Sequence, residues 1–304
     1  MRILALVPGG IGDQILGFPT LQTLHQAYPD ASLEVVAPPK SLGAYRVFPA
    51  VTHTIPFDFA DRNSLADWGN LLGSIRERQY DLVISLEDNP GFLLWLTGIP
   101  ERIGFGTGSN LFLTHTLAPW GEAYRAATAH RLLTPLGLPE ACPRPALTLA
   151  KKDIEWAEAE LKRLGLAGKG YVLVQPGDYP AAQWQALLLL LQAKQPDLPL
   201  LVLSQDAALL NGLRAAGVQV QALTAPDVGR RAALIGAADL TICPEGDGLQ
   251  LAIASGTFTV ALLGASQPET LLPPSDDKVF PLRASSGRLA DITPDQILKR
   301  ILGA

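Results

Sequence analysis

The chain is built from short, almost wholly apolar runs, each closed by a glycine- or proline-rich turn that leads into a helical stretch. Arg2-Ile3-Leu4-Ala5-Leu6-Val7 is the first, closed by Pro8-Gly9-Gly10-Ile11-Gly12-Asp13. A run with no polar alternation is what a strand covered on both faces requires. A helix follows with Ile15, Phe18, Leu21 and Leu24, and Pro19 inside it predicts a kink or a restart. Ser32-Leu33-Glu34-Val35-Val36-Ala37 is the next strand, so a complete right-handed βαβ unit fits into the opening segment.

The alternation continues with a helix over Asp67 to Arg78, strands over Asp81 to Leu86 and Arg102 to Phe105, and a helix over His130 to Leu136. Pro139 to Pro145 (PEACPRP) is a punctuation zone. Beyond it, Lys152 to Leu164 is an amphipathic helix with Ile154, Ala157, Leu161 and Leu164 on one face. Strands then read over Tyr171 to Gln175, Leu200 to Ser204, Val218 to Leu223, Leu240 to Cys243 and Thr259 to Leu263. Helices read between them over Gln183 to Gln192, Ala207 to Ala216, Arg230 to Gly236 and Asp247 to Ser255, with a last helix over Pro294 to Leu302. Strands alternating with helices mean parallel sheets and an α/β class. At roughly 150 residues per domain, the 304 residues make two doubly wound domains, expected at 1–145 and 146–304 with a cleft between them. Ligands of such sheets bind outside the carboxyl ends of the strands.

Composition removes several classes. Hydrophobic residues at 48% against 17% charged exclude a disordered chain. A net charge of −5 and a pI near 5.4 argue against nucleic-acid binding, which needs a basic footprint. No stretch approaches the roughly 18 apolar residues of a membrane span, and MRILALVPGG is too short and too soon turned for a signal peptide. Cys142 and Cys243 form neither a disulfide framework nor a zinc spacing, so a reducing cytoplasm is the expected setting. His25, His53, His115 and His130 make no metal pattern. Trp68, Trp95, Trp120, Trp156 and Trp184 read as packing residues, and Trp184 less readily as a platform for a base or sugar.

Three strand-to-helix turns could carry chemistry. In Gly9-Gly10-Ile11-Gly12-Asp13, the glycines permit a tight turn and Asp13 stands at the mouth of a helix. Asp13 suits a helix cap and equally a general base, and the two roles are compatible. The turn is no dinucleotide fingerprint, since Ile15 stands where the third glycine would be. Glu245-Gly246-Asp247-Gly248-Leu249-Gln250 offers consecutive backbone N–H groups at a helix N-terminus, which suits a diphosphate; as plain structure it is a turn with a cap. Gln175-Pro176-Gly177-Asp178-Tyr179-Pro180 is the third, with Gly177 at its centre, and its plain reading is a simple loop.

These segments resemble a family. PGGIGDQILGFPTLQTLHQAYPDASLEVV, YDLVISLEDN, ERIGF, QPG followed by Gln183-Trp184, and RRAALIGAADLTICPEGDGLQLAIASGTFTVALLG are similar, in that order, to the heptosyltransferases of glycosyltransferase family 9. The resemblance implies a GT-B fold, with an acceptor-side first domain and a nucleotide-sugar-side second domain, onto whose partner the final helix can pack back. It implies metal-free, inverting transfer of a heptose-like sugar from a nucleotide-sugar, with an ADP-sugar favoured and no cofactor, to a glycan or lipopolysaccharide-type acceptor. Asp13 matches the family's catalytic aspartate, flanked by Gly10 and Gly12, and 245–250 with Gly177 match the diphosphate site. Asp206 matches loosely the acidic residue that meets the ribose. A lipid-linked acceptor would suit the inner face of the inner membrane, although no basic amphipathic segment supports peripheral association.

The donor side departs from the family's pattern. Its usual Asp-Ser/Thr-Gly-x-x-His reads Glu245 to Gln250 here, and Ala182 replaces a lysine two residues before Trp184. That lysine would neutralise donor phosphates, and Arg230 or Arg231 could replace it only through the fold. Two expectations follow: an active transferase with an altered donor site, or an inactive GT-B scaffold that binds a partner.

Overall fold

Ile3, Leu4, Ala5 and Leu6 are almost completely buried because their strand is central, with helices over both faces. The computed structural model describes residues 1–86, 91–106, 111–118, 121 and 123–303. Two compact units form, Met1–Ala146 and Leu147–Ala304. In the first, β1 (Arg2–Leu6), β2 (Ser32–Ala37), β3 (His53–Pro56), β4 (Leu82–Ser85), β5 (Glu101–Phe105) and β6 (His115–Leu117) make one parallel sheet in the order β3-β2-β1-β4-β5-β6. Its helices are α1 (Ile11–Ala27), α2 (Leu65–Arg78), α3 (Gly91–Thr97) and α4 (Arg125–His130).

The second unit repeats that order. Its strands are β7 (Val172–Val174), β8 (Leu200–Leu203), β9 (Gln221–Leu223), β10 (Leu240–Pro244), β11 (Thr259–Leu263) and β12 (Val279–Arg283), arranged β9-β8-β7-β10-β11-β12. Its helices are α5 (Lys151–Arg163), α6 (Ala181–Lys194), α7 (Ala207–Ala215), α8 (Val228–Gly236), α9 (Asp247–Ser255), α10 (Pro268–Leu271) and α11 (Pro294–Leu302). In each sheet the direction of winding reverses beside the first strand, between β1 and β4 and between β7 and β10. That reversal opens a crevice at the carboxyl ends, where such sheets take their ligands.

Several expectations are corrected. α1 runs unbroken through Pro19, because the buried turns on either side hold the helix while proline removes only one hydrogen bond. The stretch from Arg131 to Leu136 is a 3₁₀ helix containing Pro135, preceded by α4. Strands β3, β6 and β12 and the short α3 and α10 carried no pattern long or apolar enough to be read. α11 has the expected bounds, begun by Thr293, whose hydroxyl accepts the Gln296 N–H. Its Ile297 and Leu298 are buried with Leu187 and Leu191 of α6, in the second unit's core.

The tryptophans divide. Trp184 is 1% exposed, stacked edge-on against Tyr179, and donates to the Pro176 carbonyl at 3.0 Å, so it is core and not a ligand platform. Trp68 packs on Phe57, and Trp156 lies under the Arg230 guanidinium. Trp95 is half exposed against Phe92 and Phe112. Trp120, and the 87–89 end of the fourth strand's motif, lie outside the described residues.

Candidate active site

The first turn is shaped around a carboxylate. Gly9 has φ +86°, and a Cβ there would lie 2.1 Å from Asp13 Oδ2, so both conformation and space demand glycine. Asp13 occupies the first turn of α1, where its Oδ2 accepts the Gly10 N–H at 2.8 Å. Its Oδ1 accepts Arg125 Nη2 at 2.7 Å, and the carboxyl remains 29% exposed. Each carboxylate oxygen has two acceptor positions, so both retain capacity for an incoming hydroxyl. Gly12 is buried one residue before it.

The turn is anchored from behind. Gln14, fully buried, donates to the carbonyls of Val7 and Pro8 and accepts the Tyr45 hydroxyl at 2.6 Å. Burial pushes the Tyr45 phenol well up, so it stays a donor. Ser41 Oγ donates to the Gly9 carbonyl at 2.7 Å. Sequence reading missed Arg125, Gln14, Ser41 and Tyr45. Gln14, next to Asp13 in a predicted helix, is the one it could have flagged; the others come from distant segments.

In the second unit, the 175–180 and 245–250 turns meet at the reversal between β7 and β10. A Cβ on Gly177 would lie 2.4 Å from Pro244 Cγ, and Gln175 Nε2 reaches the Gly248 carbonyl at 3.3 Å. Gln175 Oε1 in turn accepts Arg231 Nε at 3.0 Å and Nη2 at 2.7 Å. A Cβ on Gly248 would stand 2.7 Å from that same oxygen and 2.9 Å from Arg231 Nη2. Arg231, on α8, is therefore pressed against the first turn of α9. Burial holds its pKa below the ordinary value, and the nearby Asp247 carboxylate offsets this only in part. Arg230 is spent elsewhere, near Asp153 and Asp227 and over Trp156.

Gln175, Gly177, Asp206 and Arg231 share the wall of a cavity of about 240 Å³ at the ends of β7 and β8. Asp206 caps α7, its Oδ1 accepting the N–H groups of Ala208 and Leu209. The remaining predicted residues stay together on the 245–250 turn, but several side chains there are already engaged. Leu249 is core, with Ile253 and Leu263, and can offer only its backbone. Gln250 is 3% exposed and donates to the Leu271 carbonyl at 3.1 Å. Glu245 Oε1 accepts the Gly264 N–H at 3.2 Å, leaving Oε2 buried without a partner.

Gly246 sets the entry to α9 with φ 127° and ψ −159°, a region that only glycine occupies readily. A Cβ there would meet nothing within 4 Å, so the cost of a side chain is backbone strain alone. Gly246→Ala is expected to lower stability by about 1–3 kcal/mol, read as the shift in a urea unfolding midpoint. An unchanged midpoint would show that the turn relaxes freely.

Two parallel six-stranded sheets wound in this repeated order, each carrying its turns at the strand ends, are those of a GT-B fold. The chain belongs to glycosyltransferase family 9 (heptosyltransferase), whose sequence model matches residues 68–295. It is similar to lipopolysaccharide heptosyltransferase 2 of Escherichia coli K12, 28% identical over 108 residues; the match covers 34% of this chain and 31%, under a third, of that relative. Among solved structures it resembles the ADP-heptose lipopolysaccharide heptosyltransferase II of E. coli, with TM-score 0.78 and 22% identity over 100% of this chain and 98% of the other. It also resembles a family 9 glycosyltransferase of Veillonella parvula, with TM-score 0.83 and 19% identity over 99% and 96%. An E. coli heptosyltransferase solved with ADP has TM-score 0.74 and 16% identity over 100% and 99%.

Proposed function

We propose that the chain is an active, inverting glycosyltransferase that moves a heptose-like sugar from a nucleotide-diphosphate donor to a hydroxyl of a glycan or lipopolysaccharide-type acceptor. The observation that carries this reading is Arg231. Its guanidinium supplies, at the first turn of α9, the positive charge that Ala182 does not. The α9 N–H groups and Arg231 would hold the diphosphate, and the cavity beside Gly177 and Asp206 would take the nucleoside. An ADP-sugar is favoured because the E. coli neighbours are an ADP-heptose enzyme and one solved with ADP.

In this scheme Asp13 accepts the proton of the acceptor hydroxyl as its oxygen attacks the anomeric carbon. The bond from that carbon to the diphosphate oxygen breaks in the same step, and the nucleoside diphosphate leaves with the electron pair. One in-line displacement inverts the anomeric centre. Developing charge on the leaving group falls on Arg231 and the α9 amides. No step calls on a metal or cofactor. Among the described residues no helix is long and apolar enough to cross a membrane; the setting proposed is the cytoplasm.

A melting panel with ADP, GDP and UDP tests the donor half. Saturation at 100 times Kd adds about 2.7 kcal/mol, which moves the midpoint by several degrees. A selective shift with ADP is expected. Arg231→Ala should weaken that binding about tenfold or more, since a charged hydrogen bond contributes about 1.5–3 kcal/mol. The alternative, an inactive scaffold, draws on the carboxylates Glu245 and Asp247 at the same turn and on Gln250 being spent on Leu271. A panel with no shift for any nucleotide would favour it.

A further inference from the structure

Gly9–Gly10 is the one Gly-Gly pair in the chain, and its peptide plane is held at both ends. The Gly10 N–H donates to Asp13 Oδ2 at 2.8 Å, and the Gly9 carbonyl accepts Ser41 Oγ at 2.7 Å. A trans peptide points its N–H and its C=O in opposite directions. Fixing the carbonyl therefore aims the N–H at the carboxylate.

Two glycines make that orientation easy to lose. A flip of the plane swings the N–H away from Asp13 and carries Gly10 from its φ of −78° to positive φ, which glycine adopts about as readily. Three side chains oppose the flip. Ser41 and Tyr45 both lie on the 3₁₀ segment Pro39–Val47 after β2, and Ser41 has no exposed surface. Gln14 Nε2 faces three successive carbonyls, those of Val7 at 3.2 Å, Pro8 at 3.0 Å and Gly9 at 3.4 Å. Only the amide nitrogen suits that side, so Oε1 is turned to Tyr45, whose hydroxyl donates to it at 2.6 Å.

The hold on the carbonyl matters most during transfer. In the resting turn the Gly10 N–H bonds a carboxylate, and such charge-assisted bonds are about twice as strong as neutral ones. As Asp13 takes the acceptor's proton that charge is spent, and the carbonyl end is left to keep the plane in place.

We propose that Ser41 and Gln14, with Tyr45 behind Gln14, are positioning residues for the base: they lock the Gly9–Gly10 peptide so that its N–H stays on Asp13 while the carboxylate takes up a proton. The proposal takes Asp13 as the base from the transferase reading above. A hold that counts as the proton moves favours the transition state over bound substrate, so its loss falls on kcat and not on KM.

The lock is read in the whole chain without ligand. Glycine labelled with ¹³C at the carbonyl and ¹⁵N at the amide gives one carbonyl-filtered amide signal, that of Gly10, because the sequence has no other Gly-Gly peptide. Wild type is expected to give a single downfield signal, and Ser41→Ala to move it upfield or split it in two. In initial rates of ADP release from ADP-heptose with a lipopolysaccharide acceptor, Ser41→Ala should lower kcat about two- to tenfold, the weight of one hydrogen bond, with both KM values held. Ser41→Cys keeps a weaker donor and should fall between the two. An unmoved signal in Ser41→Ala, or a lowered melting temperature with kcat intact, overturns the proposal. A wild-type chain that transfers nothing refutes the transferase reading instead, and the amide signal still decides the lock.

Discussion

Asp13→Ala is expected to reduce sugar transfer by about 10²- to 10⁴-fold, the usual contribution of a positioned general base, while an ADP-induced melting shift is retained. The carboxylate also bonds the Gly10 N–H, so its loss removes a helix-capping interaction of about 1 kcal/mol. That structural cost can be separated from the chemical one. Asp13→Asn keeps an oxygen for the Gly10 N–H but cannot take a proton at neutral pH, so its transfer should be as poor as that of alanine while its stability is closer to wild type. Both are measured by initial rates with a nucleotide-sugar and by urea unfolding. Full turnover by either variant would remove Asp13 from the mechanism. Arg125→Ala separates the roles further, since it removes the partner of Oδ1 and leaves the cap in place.

The largest stability effect is expected far from that turn, at the amino ends of β1 and β2. Glu34 is 2% exposed, and its two oxygens receive Arg2 Nη2 at 2.6 Å, Arg78 Nη1 at 2.8 Å and the Tyr80 hydroxyl at 2.8 Å. Arg78 Nη2 also lies 2.9 Å from His53 Nε2. Removing one member of a buried pair costs about 3–5 kcal/mol because the remaining charge is stranded. Both arginines are about one-third exposed, so Glu34→Ala should fall at the low end, about 3 kcal/mol. A loss below about 1 kcal/mol in urea unfolding would show that water replaces the carboxylate.

The same group gives the fold an acid dependence. Burial pushes the Glu34 carboxyl up, but the hydrogen bonds from Tyr80 and Arg2 and the charges of Arg78 and Arg2 together hold it below its ordinary value. A carboxyl that binds its proton more weakly in the folded state contributes its full stability above the unfolded pKa of about 4.3. That contribution is lost as pH falls from there through the folded value. Glu34→Gln should therefore flatten the decline of stability below about pH 4.3 and leave its slope at neutral pH unchanged. Parallel curves for the two proteins would rule out Glu34 as a source of the acid dependence.

The two readable turns were readable for a local reason. Glycine at 9, 246 and 248 and aspartate at 13 stand between an apolar run and a helical one, and strand, turn and helix are set by neighbours along the chain. The central strands β1, β4, β7, β10 and β11 were legible because burial on both faces removes polar residues from them. β3 and β6 were not, because a short edge strand is paired on one side only and keeps exposed polar residues such as His53 and His115. Asp206 was found as a lone acidic residue after a strand, but that signal also describes the helix cap it forms.

Periodicity, turn chemistry and the ordered motifs were enough to determine two doubly wound α/β halves, the family and the position of Asp13. Only the tertiary structure decided what surrounds those residues. It put Arg231, and not Arg230, against α9, by way of Gln175 from the turn after β7, more than fifty residues away. It spent Gln250 and Leu249 on packing, brought Arg125 onto Asp13, and set Ser41 against the carbonyl of Gly9. The division is physical. Backbone conformation and burial pattern depend on local steric limits and on the period of the apolar residues, whereas a cation's partner depends on which strand ends the sheet order places side by side.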